Sequence, residues 1–98
     1  MLKKSYSTTG KVCRVTFKYG NPENAGAAVL AGSFNEWSTE AVPMKRLKDG
    51  SFSITISLQA GASYQYRYIL DKSVWVNDPD ADGYVANQYG EENAVVAV

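Results

Sequence analysis

Asp49-Gly50-Ser51-Phe52-Ser53-Ile54-Thr55-Ile56-Ser57-Leu58-Gln59-Ala60-Gly61-Ala62-Ser63-Tyr64-Gln65-Tyr66-Arg67-Tyr68-Ile69-Leu70 is the stretch that decides the fold. Asp49-Gly50 is a tight-turn pair, because glycine supplies positive φ without steric cost. After it, Phe52, Ile54, Ile56 and Leu58 alternate with Ser53, Thr55 and Ser57. Ala60-Gly61-Ala62 turns the chain. Tyr64, Tyr66, Tyr68 and Leu70 then alternate with Gln65, Arg67 and Ile69. A period of two places one set on a core and the other toward water, as in half-buried antiparallel strands.

The same pattern extends outward. Cys13, Val15, Phe17 and Tyr19 alternate with Arg14, Thr16 and Lys18, a strand over 11–19. Residues 20–26 are dense in turn formers. Ala27 to Ser33 reads as a short strand. Val42 to Leu47 reads as a weak one, and Pro43 puts it at a sheet edge. Asp71-Lys72-Ser73 turns into Val74-Trp75-Val76. Residues 77–93 read as irregular, and Ala94 to Val98 as a last strand. Residues 1–10 read as a polar lead-in that frays. No window has helical spacing. The fold class is therefore all-β, a sandwich of antiparallel strands over 11–98.

Composition removes several functions. The chain has 98 residues, enough for one domain. With 45% hydrophobic and 20% charged residues it is ordinary for a globular chain. Ten cations balance ten carboxylates. Zero net charge argues against nucleic acid and against an anionic membrane surface. No signal peptide or transmembrane run is visible, so the expectation is cytoplasmic. Cys13 is the single cysteine. It reads as a buried thiol and forms no internal disulfide.

Chemistry is scarce. There is no histidine, which excludes His-based triads and His zinc ligands. No Gly-rich phosphate loop appears. Asp78, Asp80, Asp82, Glu91 and Glu92 are candidate paired carboxylates, but they read as solvated loop charges. Asp78 to Gly83 resembles the opening of a calcium loop. Its twelfth position is Tyr89, where a bidentate glutamate is needed. We therefore expect no metal, no cofactor and no catalysis.

The aromatics say more. Trp37 lies in a polar stretch, and Trp75 follows a turn. An indole offers a flat face to the C–H face of a pyranose, and planar polar groups such as Arg67, Gln88 or Asn93 suit the ring hydroxyls.

Four motifs in order carry a resemblance across 11–98. Ala28-Val29-Leu30-Ala31-Gly32-Ser33-Phe34-Asn35-Glu36-Trp37 resembles the V-x-L-x-G-S-F-N-x-W signature of carbohydrate-binding module family 48, departing only at Ala28. Tyr64 to Asp71 is similar to its Y-x-Y-K-F-x-V-D strand. Trp75 with Asn77-Asp78-Pro79 is similar to W-x-x-D-P, and Asn93 to Val98 to the closing strand. That family includes the glycogen-binding domain of the AMP-activated protein kinase β subunit and the N-terminal domains of isoamylases and branching enzymes. The resemblance implies an immunoglobulin-like sandwich that binds α-1,4-glucans of the glycogen or starch type without catalysis. It implies stacking on Trp37 and Trp75. Arg67 stands where the family has a sugar-bonding lysine, and Tyr89 where it has an aliphatic residue. Glu91 stands for a threonine, and Asn93 keeps the asparagine. Glu91 brings an anion to the site, and the turn before Trp75 is one residue longer than usual. The resemblance also leaves room for a glycan-metabolising enzyme or a regulatory protein as partner. The alternative is an interaction module of the same fold that docks on such a partner and binds no sugar.

Overall fold

The computed structural model describes residues 2–37 and 43–98. In chain order the strands among them are β1 (Leu2–Tyr6), β2 (Val12–Tyr19), β3 (Ala28–Gly32), β4 (Lys45–Arg46), β5 (Phe52–Gln59), β6 (Ser63–Leu70), β7 (Val74–Val76), β8 (Gly83–Ala86) and β9 (Glu92–Ala97). They form two antiparallel sheets. One has the order β1-β2-β5-β4. The other has the order β3-β6-β9-β8, with β7 also paired to β6.

The alternation fixes the register. β2 and β5 pair over their whole lengths, so Cys13 faces Leu58, Val15 faces Ile56, Phe17 faces Ile54 and Tyr19 faces Phe52. A slip of one residue would turn this apolar set into water. The inward rings of the second sheet meet them. Phe17 and Tyr66 lie 4.9 Å apart edge to face, and Tyr19 and Tyr68 lie 5.1 Å apart. Cys13, Phe17, Leu30, Tyr66, Tyr68 and Val96 are all fully buried.

The Asp49-Gly50 turn is as expected. Gly50 takes φ 88°. The Asp49 carboxylate accepts from the Ser51 backbone N–H at 3.0 Å and from its hydroxyl at 2.5 Å. Those two bonds, led by the hydroxyl, hold the Asp49 carboxyl below its usual range.

Three regions differ from the sequence reading. The polar lead-in does not fray, because residues 2–6 pair along β2 as β1. Part of the irregular 77–93 stretch is β8, which pairs with β9. Of the weak strand over 42–47, the described part is the two-residue β4 on β5, with Pro43 in a single bridge to Val29. Val42 lies outside the described residues, as do Ser38 to Ala41.

What positions the site is the way β6 shares its edges. One edge, over Tyr66–Leu70, belongs to β3. The other is divided. Ser63–Tyr66 pair with β9, and Tyr68–Leu70 pair with β7. Arg67 falls at the fork where the two partner strands part.

Candidate functional site

Successive residues of β6 point to opposite faces. Tyr66 and Tyr68 go inward, and Gln65 and Arg67 go outward. Asn93 on β9 and Trp75 on β7 share that outward face. The fork leaves an open depression of about 740 Å³. Its walls are Trp37, Trp75 and the 87–91 loop, and Gln65, Arg67 and Asn93 also line it.

The motif ending at Trp37 has a physical basis. A Cβ at Gly32 would lie 2.6 Å from the Gln65 carbonyl oxygen and from the Phe34 ring, so no side chain fits there. Phe34 anchors the turn on the core, edge to face with Tyr64 at 6.1 Å. Asn35 ties it down, accepting from the Gly32 N–H at 3.0 Å and donating to the Leu30 carbonyl at 3.0 Å. The Gly32 carbonyl accepts the Trp37 N–H at 2.9 Å. Glu36 and Trp37 then take φ 57° and 58°. Two adjacent non-glycine residues there cost about 1–3 kcal/mol each, and such strain gathers at ligand sites.

Trp75 is placed by a comparable device. Asp71 and Lys72 take φ 48° and 65°, and the Ser73 N–H donates to the Leu70 carbonyl at 3.0 Å. These are the two positive φ values of a primed hairpin turn, the kind that matches strand twist. The longer turn does not carry Trp75 away from Trp37. The two rings lie 6.4 Å apart, tilted by 39°. Trp37 is half-buried, and Trp75 is 40% exposed.

Arg67 is more committed than its outward position suggested. It donates to Glu91 Oε2 at 2.8 Å and to the Trp75 carbonyl at 3.2 Å. Its side chain is 12% exposed, and its Nε is buried without a partner. The guanidinium thus spans the fork, joining β7 to the 87–91 loop. Glu91 serves as its counter-charge.

Asn87 and Gln65 are site residues that sequence reasoning missed. Asn87 Oδ1 accepts from the N–H groups of Tyr89 at 2.9 Å and Glu91 at 3.0 Å. Its amide donates to Asn93 Oδ1 at 3.1 Å, and Asn93 donates to Gln65 Oε1 at 3.1 Å. This chain holds the loop against the sheet and leaves Tyr89 79% exposed at its tip. An asparagine two residues before Tyr89, with Gly90 following, was the available signal of such a turn.

The loop carboxylates are not all solvated. Asp78 is 0% exposed. Its Oδ2 accepts from the Tyr66 hydroxyl at 2.7 Å and the Tyr68 hydroxyl at 3.0 Å, and its Oδ1 from the Asp80 N–H at 2.9 Å. Burial first pushes both phenols far above their ordinary range; the Tyr68 hydroxyl and then Asp78 add to it at Tyr66, and Asp78 adds to it at Tyr68 against a smaller lowering by the Tyr66 hydroxyl, so both remain donors. Asp82 pairs with Lys4 at 2.6 Å. Among the described residues, no three acidic or cysteine side chains are grouped to hold a metal ion.

Comparison with known proteins fits this geometry. The family model for the "glycogen recognition site of AMP-activated protein kinase" matches residues 13–98. A curated relative, Protein PTST homolog 2, chloroplastic, of Arabidopsis thaliana, is 38% identical over 58 residues, covering 59% of this chain and 10% of the relative. The chain therefore spans about a tenth of that protein. Among solved structures, the enterobactin esterase of Shigella flexneri superposes with TM-score 0.79 at 12% identity, over 99% of this chain and 32% of the esterase. A pullulanase of Paenibacillus barengoltzii, solved with maltotriose, gives TM-score 0.54 at 24% identity, over 98% of this chain and 14% of the enzyme. These two likenesses show a shared fold. The match over 13–98 shows more: the chain belongs to the glycogen-recognition, family 48 type of carbohydrate-binding module.

Proposed function

We propose that this chain is a non-catalytic module that binds α-1,4-glucans by stacking glucose rings on Trp37 and Trp75. The carrying observation is the indole pair, 6.4 Å apart on one wall of an open depression. An interaction module would bury Trp37 or Trp75, or expose an apolar patch beside them for a protein partner. Tyr89 faces solvent at the loop tip and adds a third ring. Gln65 and Asn93 offer amides to the sugar hydroxyls, and the Arg67 guanidinium lines the same depression. Family membership and the relative's length support a role as the glucan-holding part of a larger system, which raises local concentration at the polysaccharide. A shallow, wet site of this kind gives a Kd of roughly 10 μM to 1 mM.

The test is an NMR titration of labelled protein with maltoheptaose, and with cellohexaose as control. Both indole N–H peaks are expected to move with the α-glucan alone. No movement with either sugar at millimolar concentration would overturn the reading in favour of the interaction module.

A further inference from the structure

Zero net charge conceals a segregated molecule. The strands of the first sheet, β1, β2, β4 and β5, contain six cations (Lys3, Lys4, Arg14, Lys18, Lys45 and Arg46) and no carboxylate. Residues 73–98, which include three of the second sheet's strands, contain five carboxylates and no cation. The registers place the cations further. Lys3 lies beside Thr16 and Thr55, Arg14 between Ser5 and Ser57, and Lys18 and Lys45 either side of Ser53. All of these residues share the face of the first sheet turned away from the core. That face is an array of four cations set among hydroxyls, with the Asp49 carboxylate near Lys18 at one end. The Thr16 and Thr55 hydroxyls bond each other at 2.8 Å. Lys3, Ser5, Arg14, Thr16 and Thr55 also line a shallow depression of about 420 Å³.

A solvated sheet face is ordinary, and lysines on an edge strand discourage pairing with other chains. Edge protection accounts for Lys3. It does not account for Arg14 and Lys18, because β2 is an inner strand. Nor does a solvated face require one sign of charge when the chain has ten of each.

We propose that this outer face is a docking surface for an acidic segment of a partner protein. Charge complementarity selects the occupant's sign. The residues that accompany the cations select its class. Among the described residues, no aromatic ring stands on this face to stack bases, and no element projects from it to enter a groove. Apart from Val12, no apolar side chain among the described residues stands on this face to enter a bilayer. Rows of hydroxyls between cations suit carboxylates and peptide groups. The site lies on the opposite sheet from Trp37 and Trp75, so both surfaces are open at once. The proposal does not depend on the glucan reading.

The probe is a fluorescein-labelled oligoglutamate peptide, followed by anisotropy, with an oligoglutamine peptide as control. Binding is expected for oligoglutamate only, weakening as salt rises. Lys3→Glu with Arg14→Glu is expected to weaken it by about tenfold or more. Lys11→Glu with Lys48→Glu makes the same change in net charge outside these strands and is expected to leave it nearly unchanged. The neutral pair Lys3→Gln with Arg14→Gln is the second variant should the reversal fail to fold, as judged by circular dichroism. Equal losses from the two reversals would reduce the effect to net charge and overturn the proposal. No binding in low salt would also overturn it, as would tighter binding of phosphatidylserine vesicles or oligothymidylate. Maltoheptaose titration of the Lys3/Arg14 variant is expected to match the parent, which separates failure here from failure of the glucan site.

Discussion

β6 carries a polar network on each of its faces, and the two differ in kind. Inward, Tyr66 and Tyr68 donate to one buried carboxylate, Asp78. Outward, Arg67 and Gln65 join Glu91, Asn93 and Asn87 beside solvent. The bonds have similar lengths, but water can replace only the outer set. A broken inner bond leaves a desolvated group with no substitute partner, so it costs stability. A broken outer bond is compensated by water, so its loss falls on the placement of the groups that line the depression. One strand thus separates what holds the fold from what lines the candidate site.

The severest way to break this contrast is Asp78→Ala. It strips two buried phenols of their acceptor and is expected to cost about 3 kcal/mol or more in urea unfolding. A cost below about 1 kcal/mol would show that water reaches the inner network after all. Next come Trp37→Ala and Trp75→Ala. Each is expected to weaken maltoheptaose binding by about 1–2 kcal/mol by calorimetry while leaving the fold intact. Unfolding of either variant would move that ring from the ligand side to the core side. Asn87→Ala is expected to weaken binding by about 1 kcal/mol, with faster hydrogen exchange at the Tyr89 and Glu91 amides and little change in unfolding.

The smallest effect is one of pH. At Asp82, burial raises the carboxyl pKa, but Lys4 and the Ala97 N–H outweigh it and the net shift is downward. A lowered folded-state pKa gives stability that is present above the unfolded value, near about 3.9, and is lost as pH falls through the folded value. Stability of the parent is expected to decline below about pH 4, and Asp82→Asn to flatten that part of the decline.

The legible parts of the fold were those in which side-chain period matched burial. β2, β5 and β6 alternate cleanly, and Asp49-Gly50 marks its own turn. β1 was not legible, since Leu2-Lys3-Lys4-Ser5-Tyr6 has little apolar content and is held by pairing with β2. β8 was hidden for a similar reason: Gly83-Tyr84-Val85-Ala86 is short and flanked by turn formers. Trp37, Arg67, Trp75, Tyr89, Glu91 and Asn93 were all marked in the sequence, the last three and the role of Arg67 with the help of resemblance, and the structure brings the six around one depression. Asp78 was misread because a run of aspartates looks solvated, while its burial depends on two tyrosines ten and twelve residues away. The commitment of Arg67 to Glu91 was equally invisible, because it depends on where β7 and β9 part.

That fork has a consequence for the order in which the molecule is made. Among the described residues, all strands of the first sheet lie within residues 2–59, so that sheet has its full complement before β6 to β9 are made. β6 must wait. Until residues 92–97 leave the ribosome, the N–H and C=O groups of Ser63–Tyr66 lack their β9 partners. An exposed edge of this kind is a template for the wrong chain. A chain cut short before Glu92 would therefore be a sticky product rather than a weaker binder.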